Sequence, residues 1–393
     1  MMILKVILFL GFILAIMMGA HLLVYKSLVN YLGVTHAIAR FTLLIGFLFL
    51  ASSFMASFFL LRWQENLFTV GFYTFSATWT GFFINLLLAT GLSWLCIALL
   101  RIAGQNPNTR LIAAVWFLLA VLFSAYGVWN ALHPRIKNIT VPITDLPDQW
   151  KNKSVVQLSD LHLGHIYGRR FLNDIIAKVE RIRPEVIFIT GDLFDGMDAS
   201  INDLPTLLNQ LSASQGVFFV TGNHETYVGL KRALHVLRQT KIRVIHNEVI
   251  DVDGLEIIGI SYPGINQKSA IRGLEKAVQN SSKKAPRILL FHTPTSIHLN
   301  EEDLVEQHFS TYWVPDTTFK SHKQLGINLQ LSGHSHAGQI FPFGLLTRLI
   351  YKGYDYGLHR EDGFTIYTTS GVGTWGPPMR TGNSPEIVVI NLK

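Results

Sequence analysis

Five short strings hold most of the residues able to do chemistry. They are Ser159-Asp160-Leu161-His162-Leu163-Gly164, Gly191-Asp192-Leu193-Phe194-Asp195, Gly222-Asn223-His224-Glu225, His292, and Gly333-His334-Ser335-His336-Ala337-Gly338-Gln339. Together they offer carboxylates, an amide oxygen and imidazoles, but no thiolate. Such a mixed oxygen and nitrogen set suits Mn, Fe or Zn, whereas Ca and Mg prefer oxygen alone. In Asp-x-His and His-x-His, alternate residues of an extended chain point to one side, so both reach one centre. The candidate ligands are too many for one ion. Two ions about 3.5–4 Å apart, sharing a carboxylate, would use them all. Such a pair binds phosphoryl oxygens, lowers the pKa of a bridging water and stabilises an in-line displacement. A single Asp or Asn after a strand is usually a turn former or helix cap; five such strings in one chain are not explained that way.

In order and spacing these strings resemble the motifs of the calcineurin-like metallophosphoesterases, in particular the membrane-anchored, bacterial-type phosphohydrolases, over residues 154–392. The resemblance implies an α/β fold, an αββα sandwich with two central sheets. It implies two divalent metal ions, the first held by Asp160, His162 and His336, the second by Asn223, His292 and His334, with Asp192 bridging. His224 is then the catalytic residue, protonating the leaving oxygen or stabilising charge on the phosphoryl group. That role suits imidazole, the side chain that ordinarily changes charge near neutral pH. Asp195 and Glu225 are expected to orient the ligands. The string at 333–339 has Ser335 and Ala337 where these proteins commonly have Thr and Gly, and Ala337 is expected to resist a positive φ. The substrate the resemblance implies is a phosphomonoester, phosphodiester or pyrophosphate; UDP-2,3-diacylglucosamine, which similar pyrophosphatases cleave, is the sharpest candidate for a lipid-linked one.

The strings need elements to position them. Each follows a short β-branched or aromatic run, the pattern of an α/β sheet whose strand ends carry the ligands. Strands are expected at Ile139–Ile143, Ser154–Leu158, Val186–Thr190, Val217–Thr221, Arg243–Ile250, Leu255–Ile260, Ile288–Phe291, Leu329–Ser332, Phe364–Thr369 and Glu386–Leu392. Helical periodicity runs through Phe171–Arg181, Leu204–Leu211, Leu230–Arg238 and Ala270–Gln279. Two further stretches bear on specificity. Arg380, after a Gly-rich segment, is a candidate to bind phosphate through its guanidinium fork. Ile340–Tyr354 is unusually apolar; it either packs on the core or dips into a bilayer interface, with Arg348 and Lys352 near headgroups. His165, His298, His308, His322 and His359 match no string and are read as structural.

The first third has a different texture. Of 33 basic and 26 acidic residues, only Lys5, Lys26, Arg40, Arg62, Glu65, Arg101 and Arg110 precede residue 134. Four apolar runs there, Ile3–Val24, Phe41–Leu61, Phe75–Leu100 and Leu111–Leu132, are long enough to span a bilayer. A cleaved signal peptide has a shorter apolar region than the first run. The expected organisation is an all-α bundle of about four transmembrane helices (1–134), a connector (135–153) and a catalytic domain (154–393). Mean hydropathy of +0.31 with 15% charged residues excludes disorder and a plain soluble enzyme. Most of the net charge of +7 lies around the apolar runs, so no nucleic-acid partner is expected. Asn85, His21, His36 and His133 lie in or beside the runs without paired charges, which disfavours a transporter and reads Asn85 as a link between helices. Lone Cys96 excludes an intrachain disulfide. The positive-inside count is a tie that Lys151 and Lys153 tilt towards a cytoplasmic catalytic domain, in a bacterial plasma membrane. The expected partners are the bilayer and a phosphorylated small-molecule or lipid-linked substrate. The competing function is a non-catalytic, metal-binding regulatory domain, for which His224 would be superfluous.

Overall fold

The computed structural model describes residues 2–196, 201–262, 278, 285–297 and 315–393. The expected helix Ala270–Gln279 and residues His298 and His308 lie outside them, Val278 apart. The chain divides into two units, Met1–Trp129 with Gly376–Met379, and Asn130–Trp375 with Arg380–Lys393.

The first unit contains α1 (Met2–Tyr31), α2 (Ala37–Trp63), α3 (Leu67–Ile102) and α4 (Thr109–Ala131, whose last residues lie beyond Trp129), each long and apolar enough to cross a membrane. All four expected spans are helical. α3 starts eight residues before the apolar run does, because Asn66 caps it: its Oδ1 accepts from Phe68 and Thr69 N–H, while Thr69 Oγ1 accepts from Asn66 N–H. Its 36 residues make a rod of about 54 Å, longer than a hydrocarbon core. The helices meet through small and polar side chains. Asn85 Nδ2 on α3 donates to Ser124 Oγ on α4 at 2.9 Å, and Trp79 Nε1 donates to His21 Nε2 at 3.1 Å. Asn85 thus links two helices. Outward positions such as Phe12, Phe41, Phe59 and Leu118 are large, apolar and exposed, the surface a helix turns to lipid.

The second unit contains two six-stranded mixed sheets. The first, in spatial order β1-β12-β2-β3-β4-β5, uses Arg135–Val141, Glu386–Leu392, Ser154–Leu158, Val186–Thr190, Val217–Val220 and Arg243–Val244. The second, β10-β11-β9-β8-β7-β6, uses Gly357–Glu361, Phe364–Thr368, Leu329–Ser332, Arg287–Phe291, Leu255–Ile260 and Glu248–Val252. β2 to β5 run parallel, as do β7, β8, β9 and β11. Val155, Phe188, Phe218, Ile257, Leu290 and Leu331 fill one core contributed by both sheets. On the other face of the first sheet, α5 (Arg169–Ile182), α6 (Pro205–Leu208) and α8 (Leu230–Leu237) bury Leu172, Ile175, Leu208 and Val236. α7 (Asn223–Tyr227), α9 (Lys320–Gln324) and α10 (Phe343–Ile350) are short and lie in connections.

Three sequence expectations differ in detail. Arg243–Ile250 is two strands in different sheets, since Asn247 takes a left-handed φ of 52° where the chain crosses between them. The strand expected at Ile139–Ile143 is β1, which runs from Arg135 to Val141 and pairs parallel with β12 from Arg135↔Glu386 to Val141↔Leu392. The segment read as a connector also holds Trp150, buried with Nε1 donating to Val252 O at 3.1 Å. β10 went unread because Gly357, His359, Arg360 and Glu361 give it no apolar alternation.

Candidate metal centre

The five strings sit at the carboxyl ends of β2, β3, β4, β8 and β9, three strands from one sheet and two from the other. Gln157 ties the sheets together just beneath them, its Nε2 donating to Thr190 Oγ1 and Ser332 O, both at 3.0 Å. The turns then interlock through the backbone: Asp160 N–H donates to Gly191 O and His162 N–H to Asp192 O, both at 3.1 Å, and Gly333 N–H to His292 O at 2.9 Å. Two glycines are required by space. A Cβ on Gly222 would lie 2.1 Å from Asp192 Oδ1, and one on Gly333 would lie 2.2 Å from Asp160 Oδ2.

Three groups of ligand atoms result, the third being His162, Asp192 and His224. Asp160, His162 and His336 converge, with His162 Nε2 3.0 Å from His336 Nε2, which lies 3.4 Å from Asp160 Oδ1. In the second group, His334 Nδ1 lies 2.9 Å from Asn223 Oδ1 and 3.3 Å from His292 Nε2. Asp192 lies between the first two groups: its Oδ2 is 3.1 Å from His292 Nε2 and 3.9 Å from His162 Nε2. All seven candidate ligands are therefore in one place, and only His334 is more than slightly exposed. Five of them, Asp160, His162, Asp192, His334 and His336, hold φ between 48° and 73°, in the left-handed region. That conformation costs roughly 1–2 kcal/mol at each non-glycine residue, and its clustering where ligands converge is how sites store strain. Ala337 also adopts it (φ 48°), so the absence of glycine there does not change the loop's shape.

Charge in the site is set by burial and by Asp192. Burial works to raise Asp192, but His292, His224 and His162 outweigh it and hold the carboxyl well below the usual range. Burial works to lower His292, but Asp192 and Asp160 lift it to about 9. Burial, then His292, takes His334 down to about 3. Burial, followed by neighbouring cations, drives His162 and His336 well below their ordinary value. Burial, then Asp192, raises Asp160 to about 6, against the pull of His292. Imidazoles and carboxylates within reach of one another, with His162, His334 and His336 driven toward the neutral form by burial, are a donor set that fits divalent cations.

His224 stands beside this set, its ring 4.4 Å from that of His162. Its N–H donates to Asp192 Oδ1 at 2.9 Å. Its Nδ1 lies 2.5 Å from Asp195 O, which only accepts, so Nδ1 carries a hydrogen and Nε2 is the atom free to gain or lose one. Glu225 collects the N–H groups of Gly222, Asp192, Leu193 and Phe194 at 2.6–3.2 Å, clamping one turn to the other. Burial, then Asp192, pushes it up to about 7 against those donors. Asp195 Oδ1 lies 3.7 Å from His162 Nδ1.

Arg380 is placed differently from a residue open to substrate. It is fully buried, and Nη2 donates to Gly373 O at 2.5 Å and Ser370 O at 2.6 Å, leaving His336 Nδ1 at 3.2 Å as a neighbour. Nη1 donates to Asn383 Oδ1 at 2.5 Å. It braces the Gly-rich segment against His336. His322 and His359 are structural, as read: His322 Nε2 accepts from Ile297 N–H at 2.8 Å, and His359 Nε2 faces Tyr356 O at 3.0 Å. Sequence reasoning missed two aromatics beside His224. Tyr227 and Trp375 have ring centroids 5.0 and 6.4 Å from it, and both are half exposed. Gln339 holds Trp375 by both backbone groups, each at 3.0 Å. The signal for it was the glutamine that closes the 333–339 string.

A family profile described as calcineurin-like phosphoesterase matches residues 153–338. An uncharacterized metallophosphoesterase of Helicobacter pylori is 32% identical over 71% of this chain and 70% of its own length. One from Campylobacter jejuni is 31% identical over 77% of each chain. The chain belongs to the calcineurin-like metallophosphoesterases. As a member it is a hydrolase of the phosphoesterase class, with clustered histidine and aspartate residues able to bind metal. A Danio rerio protein named as a transmembrane protein with a metallophosphoesterase domain is 31% identical over 74% of this metallophosphoesterase and 64% of that protein. That name and the four apolar helices support membrane association.

Proposed function

We propose that this chain is a membrane-anchored phosphoesterase that uses two divalent ions, Mn, Fe or Zn, to cleave a phosphate ester or anhydride on a lipid-linked substrate. The supporting observation is the pair of ligand groups with Asp192 between them. Asp160, His162 and His336 would hold one ion, Asn223, His292 and His334 the other, with Asp192 between them. When bound, the ions supply charge to the phosphoryl oxygens and make water a better nucleophile. His224 does the proton work. With Nδ1–H fixed on Asp195 O, its Nε2 faces the reacting group and gives a proton to the leaving oxygen. Asp195 and Glu225 keep His162, His224 and the Asp192 turn in place. The presence of His224 favours catalysis over a regulatory metal-binding role. Arg380 is a brace for His336 and the loop before it.

We assign the protein to a bacterial plasma membrane with its catalytic unit on the cytoplasmic side, on the basis of Lys151 and Lys153 after the fourth span. The test is hydrolysis by the full chain in nanodiscs, stripped of metal and reloaded with Mn. Substrates are p-nitrophenyl phosphate, its bis ester and UDP-2,3-diacylglucosamine, each also offered to His224→Ala. Turnover that needs both metal and His224, and favours the lipid, is the expected result. Two ions bound with no turnover of any substrate would instead support the regulatory reading.

A further inference from the structure

α10 is turned the wrong way round for a helix of a water-soluble domain. Its inward face is small and polar. Gly344 lies against Gly338, where a Cβ on Gly338 would meet Gly344 N at 2.2 Å, and Thr347 Oγ1 donates to Asp355 Oδ2 at 2.9 Å. Buried Tyr351 follows one turn after Thr347 on the same side. Its outward face is apolar: Leu345, Leu346 and Leu349 are exposed, with Phe341 and Phe343 beside them, and no residue of the helix is buried. Exposed Arg348 and Lys352 flank the leucines. Five large apolar side chains exposed within residues 341–349 are the kind of concentration that marks an interaction site. A short amphipathic helix with leucines and aromatics on one side and basic residues at its edge has the make-up of a segment lying in a membrane interface.

We propose that α10 docks into the lipid surface, with Leu345, Leu346 and Leu349 among the acyl chains and Arg348 and Lys352 at anionic headgroups. The bilayer is the favoured occupant because the same chain carries four helices long enough to cross one, which keeps that surface at hand without a separate binding step. Charge agrees, since both titratable groups on the outer edge are basic. The consequence reaches the ligands. Ser335, between His334 and His336, donates to Asp355 O at 2.5 Å, and Asp355 accepts from Thr347 of α10. The loop that carries two imidazoles is thereby fastened to a helix at the lipid surface, where a phosphate on a lipid would be presented. This last step rests on the reading of the site as a phosphoesterase; the docking does not.

The experiment measures depth and needs no turnover. In full-length protein with Cys96→Ser, Leu345→Cys and Leu349→Cys are each labelled with a polarity-sensitive fluorophore. The protein is placed in phosphatidylcholine–phosphatidylglycerol nanodiscs containing doxyl-labelled lipid. Arg238→Cys, on an exposed position of the same unit, is the control. Blue-shifted emission at 345 and 349, with quenching by the doxyl lipids at least twofold above the control, is expected. Water-like emission at both would overturn the proposal. So would blue-shifted emission without lipid quenching, which would mean that protein, such as a second copy, covers the helix. Failure of every hydrolysis assay would leave either outcome readable.

Discussion

The backbone N–H of His224 bonds a carboxylate oxygen of Asp192, so the residue proposed to move a proton and the one proposed to hold both ions are one hydrogen bond apart. Their variants should nevertheless separate. His224→Ala keeps that backbone bond and every ligand, so it should bind metal normally and lose about a hundred- to ten-thousand-fold in kcat, the span of general acid catalysis. Metal analysis beside steady-state rates checks this, and a variant at full rate would remove the acid role. Asp192→Asn weakens both ion positions and lifts the negative charge that holds His292 protonated, so metal content itself should fall. The same pair sets a pH dependence. In the metal-free protein His292 is lifted to about 9, above its ordinary value near 6.5, so its charged form stabilises the fold fully below about 6.5. That contribution is lost as pH rises through about 9. Metal needs the neutral ring, so at any pH below about 9 binding must displace the proton, and apparent affinity should climb by about tenfold per pH unit. Titration calorimetry in buffers of different ionisation enthalpy would detect the released proton; binding with no proton released at pH 7.5 would contradict the account.

At the scale of elements, the strained loops show how closely the site depends on backbone shape. Ala337 is held at φ 48° in a left-handed conformation that glycine adopts without penalty. Ala337→Gly should therefore stabilise the metal-free protein by about 1 kcal/mol, less what glycine costs in the unfolded chain. Chemical unfolding of the two proteins measures it; a less stable variant would show that the Ala337 methyl packs more than its backbone strains. The clustering of the candidate ligands at strand ends was legible in the sequence because each string follows an apolar run and consists of residue types seldom found together. Their parallel strands are buried on both faces, so their boundaries also read correctly to within a residue. Elements with a weak pattern are not legible in the same way. β10 is polar and half exposed, and β1 starts four residues before the strand read at Ile139–Ile143 because Arg135, Lys137 and Asn138 interrupt any apolar run there. Asn247 divides a run that reads as continuous. Arg380 looked like a phosphate ligand because sequence shows a guanidinium near glycines but not the carbonyls of Ser370 and Gly373 that occupy it. The aromatics beside His224 follow from loop packing, which has no period to read; only Gln339, which holds Trp375, gave a hint of one of them.

At the scale of the whole molecule, the fold of the second unit extends upstream of its first ligand strand. β1 pairs along all seven residues with β12, which in turn pairs antiparallel with β2, the strand that delivers Asp160 and His162. Without β1, β12 becomes an edge with unpaired backbone groups, an invitation to aggregation. Trp150 closes the core between the sheets, with Val141, Ile143 and Leu146 buried beside it. Losing a buried tryptophan alone costs about 3–5 kcal/mol, against a total stability of about 5–15 kcal/mol for a typical domain. A fragment starting at residue 154, the first residue of β2, should therefore aggregate or melt without cooperativity, although it keeps every proposed ligand. One starting at residue 130 should give a single cooperative transition by circular dichroism and elute as a discrete species. Trp150→Ala in the full chain isolates the packing contribution from that of the lost strand, and should lower the stability of the catalytic unit without altering the identity of its ligands. If the fragment from 154 melts like the longer one, the edge strand and Trp150 contribute little, and the 135–153 segment is a tether after all.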